Sequence, residues 1–100
     1  MIAEVKVPAL SLEAGEGTIA QWLKMEGQEV EEGEGILVYE TTKVAIVVEA
    51  PASGVLRKIL YGVGMAVPPN ATVALIATDE VTDAEIERYL SQVVQLGGNG

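Results

Sequence analysis

The chain predicts an all-β fold: a flattened barrel or sandwich of two antiparallel sheets, about eight short strands related by an internal two-fold repeat, with a short C-terminal helix. Three observations carry this reading. Valine and isoleucine supply 21 of the 100 residues while phenylalanine is absent, and β-branched side chains, stiff at their first torsion, favour pleated sheet. The chain also repeats itself. One constant offset lays Gly17 on Gly54, Ile19 on Leu56, Leu23 on Leu60, Gly27 on Gly64, Val30 on Val67 and Ile36 on Val73, without a gap. Finally, turn residues punctuate both halves at matching places. Gly33 falls on Asn70, and asparagine is, after glycine, the residue that best tolerates positive φ in a tight turn.

The elements follow in order. Ile2 to Val7 reads as the first strand, and the loop from Leu10 to Glu16 leads to a second strand over Thr18 to Leu23, ended by a turn at Gly27. A brief strand near Val30 precedes Ile36 to Glu40 and Val44 to Glu49, which close a hairpin over residues 41 to 44. Ala50-Pro51-Ala52-Ser53-Gly54 sets proline at the second place of a turn. Val55 to Leu60, a brief strand near Val67 and Val73 to Ala77 complete the second half. The offset also lays Lys6 on Lys43 and Lys43 on Glu80, so the hairpin at one pole is matched by a cut at the other, and the chain ends are expected to meet opposite Lys43. Thr82 and Glu85 then form a capping box, and Val81 can staple to Ile86. Ile86, Tyr89, Leu90, Val93 and Val94 share one helix face, which is expected to dock. The chain divides into a β domain at 1–79, a helical extension at 80–96 and a Gly-rich end at 97–100 that reads as the start of a linker or an expression remnant.

Composition narrows the chemistry. Fifteen acids against 6 bases leave a net charge of −9, a field that repels phosphate backbones and anionic lipid, so neither nucleic acid nor a membrane surface is expected as a partner. No apolar run approaches ~18 residues and Met1 to Glu4 carries no signal core, so the chain reads as cytoplasmic. The absence of cysteine and histidine removes the thiol nucleophile, the commonest general base and the commonest metal ligand. A pair of glutamates acting as acid and base would need a cleft with converging carboxylates, which a domain of this size rarely builds. Glu29, Glu31, Glu32 and Glu34 lack the spacing of a calcium loop and read as a solvated acidic rim. Trp22, the single tryptophan, reads as a packing residue.

Lys43 sits at the polar tip Glu40-Thr41-Thr42-Lys43-Val44-Ala45 between apolar flanks. An exposed lysine is ordinarily protonated, with a pKa near ~10.4, and merely solubilising. Only four lysines exist, however, and only Lys43 is centred on the repeat. The run Gly17-Thr18-Ile19, Trp22, Gly27, Val30, Gly33, Glu40-Thr41, Lys43-Val44, Ala50-Pro51-Ala52-Ser53-Gly54-Val55 and Gly64 resembles the lipoyl domain of 2-oxo acid dehydrogenase acyltransferases, over roughly residues 2 to 78.

The resemblance implies a non-catalytic carrier in which lipoic acid is joined to Lys43 by a lipoate ligase through an amide, making a long swinging arm. It further implies that a thiamine-diphosphate decarboxylase loads the arm, an acyltransferase core unloads it and a dihydrolipoyl dehydrogenase reoxidises it. Acyl transfer in the family uses a histidine, so this chain, having none, is expected to be part of a longer acyltransferase or a free-standing, monomeric carrier. Glu40, Thr41, Thr42, Val44 and Ala45 would form the recognition hairpin. Leu10, Ser11, Leu12, Glu13 and Ala14 would form a partner-specificity loop, or serve as ordinary loop filler. The family usually places aspartate before the modified lysine, where this chain has Thr42. Threonine removes that charge while keeping the capacity to bond turn backbone. Three related readings stay open: a biotinyl carrier, whose lysine is flanked by methionines rather than Thr42 and Val44, a glycine-cleavage lipoyl carrier, which is longer, and an unmodified lipoyl-like interaction module.

Overall fold

The computed structural model describes residues 1–9 and 16–97. Eight strands and one helix are present among them: β1 Ile2–Lys6, β2 Gly17–Trp22, β3 Glu29–Val30, β4 Gly35–Glu40, β5 Ala45–Glu49, β6 Gly54–Ile59, β7 Ala66–Val67, β8 Thr72–Ala77 and α1 Asp83–Gly97. They form two antiparallel four-stranded sheets, ordered β1-β8-β6-β3 and β5-β4-β2-β7. This is the predicted all-β sandwich with its helix.

The repeat is structural. Adding the sequence offset carries β2 onto β6, β3 onto β7 and β4 onto β8, residue for residue. The turns match as well, with φ of 94° at Gly27 and 88° at Gly64, and 88° at Gly33 and 66° at Asn70. Asn70 occupies the left-handed region that its glycine counterpart takes without cost. The outermost strands do not obey the offset. Glu40 pairs with Ala45 as Ala77 pairs with Ile2, so β1 is the counterpart of β5. Lys6 consequently lies opposite Thr72, at the end of β1 remote from Met1, and is not the equivalent of Lys43.

Between the sheets lies a core that includes Ile19, Ile36, Leu37, Tyr39, Leu56, Val73 and Ile76. Ile36 and Leu37 are neighbours and both buried, because the β4–β5 register shifts between Gly35 and Leu37, and such a bulge turns two successive side chains to one face. β8 is buried on both sides. Ala74 and Ile76 belong to the intersheet core, while Leu75 and Ala77 pack with Val81 and Ile86, flanked by Ile2, Tyr89 and Leu90. That explains why Thr72–Ala77 reads as a continuous apolar run rather than an alternating one.

α1 begins on the capping box: Glu85 N–H donates to Thr82 Oγ1 at 3.1 Å and Thr82 N–H to Glu85 Oε1 at 2.9 Å. Arg57 ties the helix start to β6, donating to the Val81 carbonyl at 2.8 Å and to Asp83 at 2.5 Å. Lys58 pairs with Glu87 at 3.4 Å. Tyr89 donates its hydroxyl to Glu4 on β1. Val94, expected on the same face, and Gly98 to Gly100 lie outside the described side chains. Among the described residues no helix is long and apolar enough to cross a membrane.

Candidate functional site

The β4–β5 ladder runs from Gly35 opposite Glu49 to Glu40 opposite Ala45, and the chain reverses between them. Thr41 N–H donates to the Val44 carbonyl at 2.8 Å. Its hydroxyl accepts Lys43 N–H at 3.3 Å and Val44 N–H at 3.2 Å, and its Oγ1 lies 3.3 Å from the Val44 carbonyl oxygen. Asn70 is the sole non-glycine residue with positive φ among the described residues, so Thr42 and Lys43, the two central residues of this turn, keep ordinary negative φ. A threonine ahead of a tight turn can bond the amides two and three residues on, replacing its own carbonyl.

Thr41 is 8% exposed, whereas Glu40, Thr42, Lys43, Val44 and Ala45 are all exposed. The hydroxyl that holds the turn is that of Thr41 rather than Thr42, because the first residue of the turn has the amides two and three residues on, those of Lys43 and Val44, within reach. Beneath the hairpin, Tyr39 fixes three strands to one another: its hydroxyl accepts Gly17 N–H at 2.9 Å and donates to the Val67 carbonyl at 3.1 Å. Gly17 permits this, since a Cβ there would stand 2.5 Å from the Tyr39 ring and 2.7 Å from the Glu40 carbonyl oxygen. Trp22 is a packing residue, half-buried with its Nε1 donating to the Tyr61 carbonyl at 2.9 Å.

At the other end of the same hairpin, Ala50 N–H donates to the Glu34 carbonyl at 2.8 Å. There an open groove is lined by Glu29 to Glu34, Ser53 to Val55 and Thr78 to Glu80. The Met1 ammonium lies against this end, 2.9 Å from Thr78 Oγ1 and 2.8 Å from Glu80 Oε2. Lys43 and the start of β1 are therefore separated by the length of a hairpin whose strands each span about 17–20 Å. Met1 and the end of β8 meet at the pole opposite Lys43, as the repeat predicts.

Two carboxylates of the groove, Glu80 and Glu34, are held in their charged form. The bond from the Met1 ammonium holds the Glu80 carboxyl down to about 2, and Lys24, 2.8 Å from Glu34, holds that carboxyl below its usual range. A general acid requires a carboxyl shifted the other way. No group of three or more acidic side chains among the described residues is arranged to hold a metal ion. The partner-specificity residues expected in the first loop, Leu10, Ser11, Leu12, Glu13 and Ala14, lie outside the described residues.

A family model described as Biotin_lipoyl, biotin-requiring enzyme, matches residues 3–76. The chain belongs to this family. Family membership implies a covalently attached lipoyl or biotinyl group. The chain is 39% identical over 90 residues to the dihydrolipoyllysine-residue acetyltransferase component of the acetoin cleaving system of Cupriavidus necator, covering 90% of this chain and 24% of that protein. It is 45% identical over 76 residues to the dihydrolipoyllysine-residue succinyltransferase component of the Bacillus subtilis 2-oxoglutarate dehydrogenase complex, covering 76% and 18%. Among solved structures, it resembles the lipoyl domain of the 2-oxoglutarate dehydrogenase complex from Azotobacter vinelandii with a TM-score of 0.60, 29% identity and coverage of 73% and 95%. It also resembles urea carboxylase from Kluyveromyces lactis with a TM-score of 0.65, 27% identity and coverage of 77% and 6%. The biotinyl/lipoyl domain thus spans a minor part of the longer proteins it matches.

Proposed function

We propose that this domain carries lipoate as an amide on Lys43 and moves acyl groups between the active sites of a multienzyme complex acting on a 2-oxo acid or acetoin. The observation that supports the reading is the placement of Lys43 at the centre of an exposed turn on a family scaffold. A convex tip suits an attached arm better than a cleft would, because the arm must enter other proteins' active sites. Bound lipoate would supply a dithiolane for redox and acyl chemistry that a chain without cysteine lacks. Lys43 would contribute the anchor: its deprotonated Nζ would form an amide with a ligase-activated lipoyl carboxyl as the activating group leaves, and the ammonium charge would be lost. Exposed Glu40, Thr42, Val44 and Ala45 form the surface that partners read around it.

The partners in this reading are a thiamine-diphosphate decarboxylase, an acyltransferase core, a dihydrolipoyl dehydrogenase and, for attachment, a lipoate ligase. A tether leaving from beyond α1 would hold the domain at high effective concentration around each active site, so weak contacts suffice. Biotin is the second reading, favoured by the family description and the urea carboxylase likeness. The chain co-expressed with a lipoate ligase or with a biotin ligase is analysed by intact mass. One lipoyl addition, lost in Lys43→Gln, is expected; biotin addition alone, or none with either ligase, overturns the proposal.

A further inference from the structure

The two poles of the molecule carry a similar hydrogen-bond device, to which Glu80 adds a carboxylate at the Thr78 pole, 2.5 Å from Thr78 Oγ1 and 2.8 Å from the Met1 ammonium. At the hairpin, Thr41 N–H donates to the Val44 carbonyl at 2.8 Å, Val44 N–H donates to Thr41 Oγ1 at 3.2 Å, and that oxygen lies 3.3 Å from the same carbonyl. Where Met1 meets the end of β8, Thr78 N–H donates to the Met1 carbonyl at 3.1 Å, the Met1 nitrogen donates to Thr78 Oγ1 at 2.9 Å, and that oxygen lies 3.4 Å from the Met1 carbonyl oxygen. Thr41 and Thr78 are repeat mates, and Val44 and Met1 hold equivalent places ahead of β5 and β1. At Thr78, however, no turn residues join the clamped strands. There the clamp and the Met1–Glu80 ion pair hold a strand pair that no turn joins, and at the lysine pole the clamp relieves Thr42 and Lys43 of that task.

We propose that Thr41 is the positioning residue for Lys43: its buried hydroxyl sets the turn by holding the Lys43 and Val44 amides, and so fixes the place from which the lysine is offered to the modifying ligase. The inference rests on the carrier reading. Glycine is not needed in this turn, and neither central residue has to adopt positive φ, because the side chain of Thr41 supplies the acceptor that would otherwise be the backbone carbonyl. An amide acceptor lost from both Lys43 and Val44 would leave the lysine on a loosened loop, with its Nζ spread over more positions.

The test compares Thr41→Val, Thr41→Ser and Thr78→Val in the full chain, by initial rate of lipoyl attachment with purified ligase over a range of domain concentrations. Thr41→Val is expected to lower kcat/KM for attachment by about tenfold, with faster hydrogen exchange at the Lys43 and Val44 amides. Thr41→Ser retains the hydroxyl and is expected to stay within about twofold. Thr78→Val removes the twin clamp, so its melting temperature falls comparably while attachment is unchanged, which separates presentation of the lysine from mere loss of stability. Thr41→Ala replaces the valine variant if that one fails to fold. Attachment to Thr41→Val or Thr41→Ala at the wild-type rate, or an equal loss in Thr78→Val, overturns the proposal. Failure of the wild-type chain to accept lipoate instead overturns the carrier reading, and this inference with it.

Discussion

Thr42 stands exposed beside Lys43 in a turn that its other neighbour holds. Side chains at this position are consequently available for recognition rather than for shape, and a neutral hydroxyl offers a partner less than a carboxylate would. Charge at the rim of an encounter surface acts chiefly on association rate. Thr42→Asp is expected to raise reductive acylation per lipoylated domain by roughly threefold or more with a decarboxylase whose channel is basic, measured at low salt; an unchanged rate would show that such partners do not read this position. The prominence of Lys43 was legible in the sequence from its scarcity and its place in the repeat. Thr41 was not, because a threonine between polar residues reads as surface, and its burial depends on the strands that close over it. The signal was nonetheless present: the repeat offset pairs Thr41 with Thr78.

The paired strands were legible as elements because the offset holds without insertion from Gly17 to Ala77, and each glycine or asparagine turn recurs with the same sign of φ. The relation of β1 to β5 was hidden, since β1 precedes the repeat while its counterpart follows β4, and no linear shift aligns them. α1 shows the same division. Its start and apolar face follow from Thr82, Glu85, Ile86, Tyr89 and Leu90, but its docking place depends on Glu4, Arg57 and Lys58, brought together only by the sheet. Ile86 is 2% exposed against β8, so Ile86→Ala should lower unfolding free energy by about 2–4 kcal/mol in urea denaturation. The helix should also respond to pH. The bond to Glu4 raises the Tyr89 phenol above its ordinary value, with burial adding to it, so the phenol's contribution is complete below pH 10 or so and is lost as pH rises through the folded value. Bonds from Thr72 first and Tyr89 second lower Glu4, so its contribution is present above the ordinary carboxylate range and fades as pH falls below it. Melting temperatures of wild type and Tyr89→Phe across pH 3 to 11 or so should show a steeper alkaline decline in the wild type; parallel curves would remove Tyr89 from that role.

A net charge of −9 on a domain of 100 residues gives the whole molecule a long-range field. Encounters with a basic partner should be fast at low ionic strength and should slow by roughly tenfold between about 0.02 and 0.5 M salt, read as kcat/KM for reductive acylation. A flat salt profile would place recognition in short-range contacts alone. The arrangement of poles, Lys43 at one and the Met1–Glu80 contact at the other, also has a temporal side. Thr41 and Val44 lie three residues apart, and their clamp can form with a hairpin, on a scale of about 1–10 μs. Thr78 and Met1 enclose nearly the whole β domain, and closing so long a loop costs entropy that local contacts cannot offset until the sheets are in place. Loop length alone thus sets the expected order of the two clamps, the one at the displayed lysine closing before the one between Met1 and Thr78.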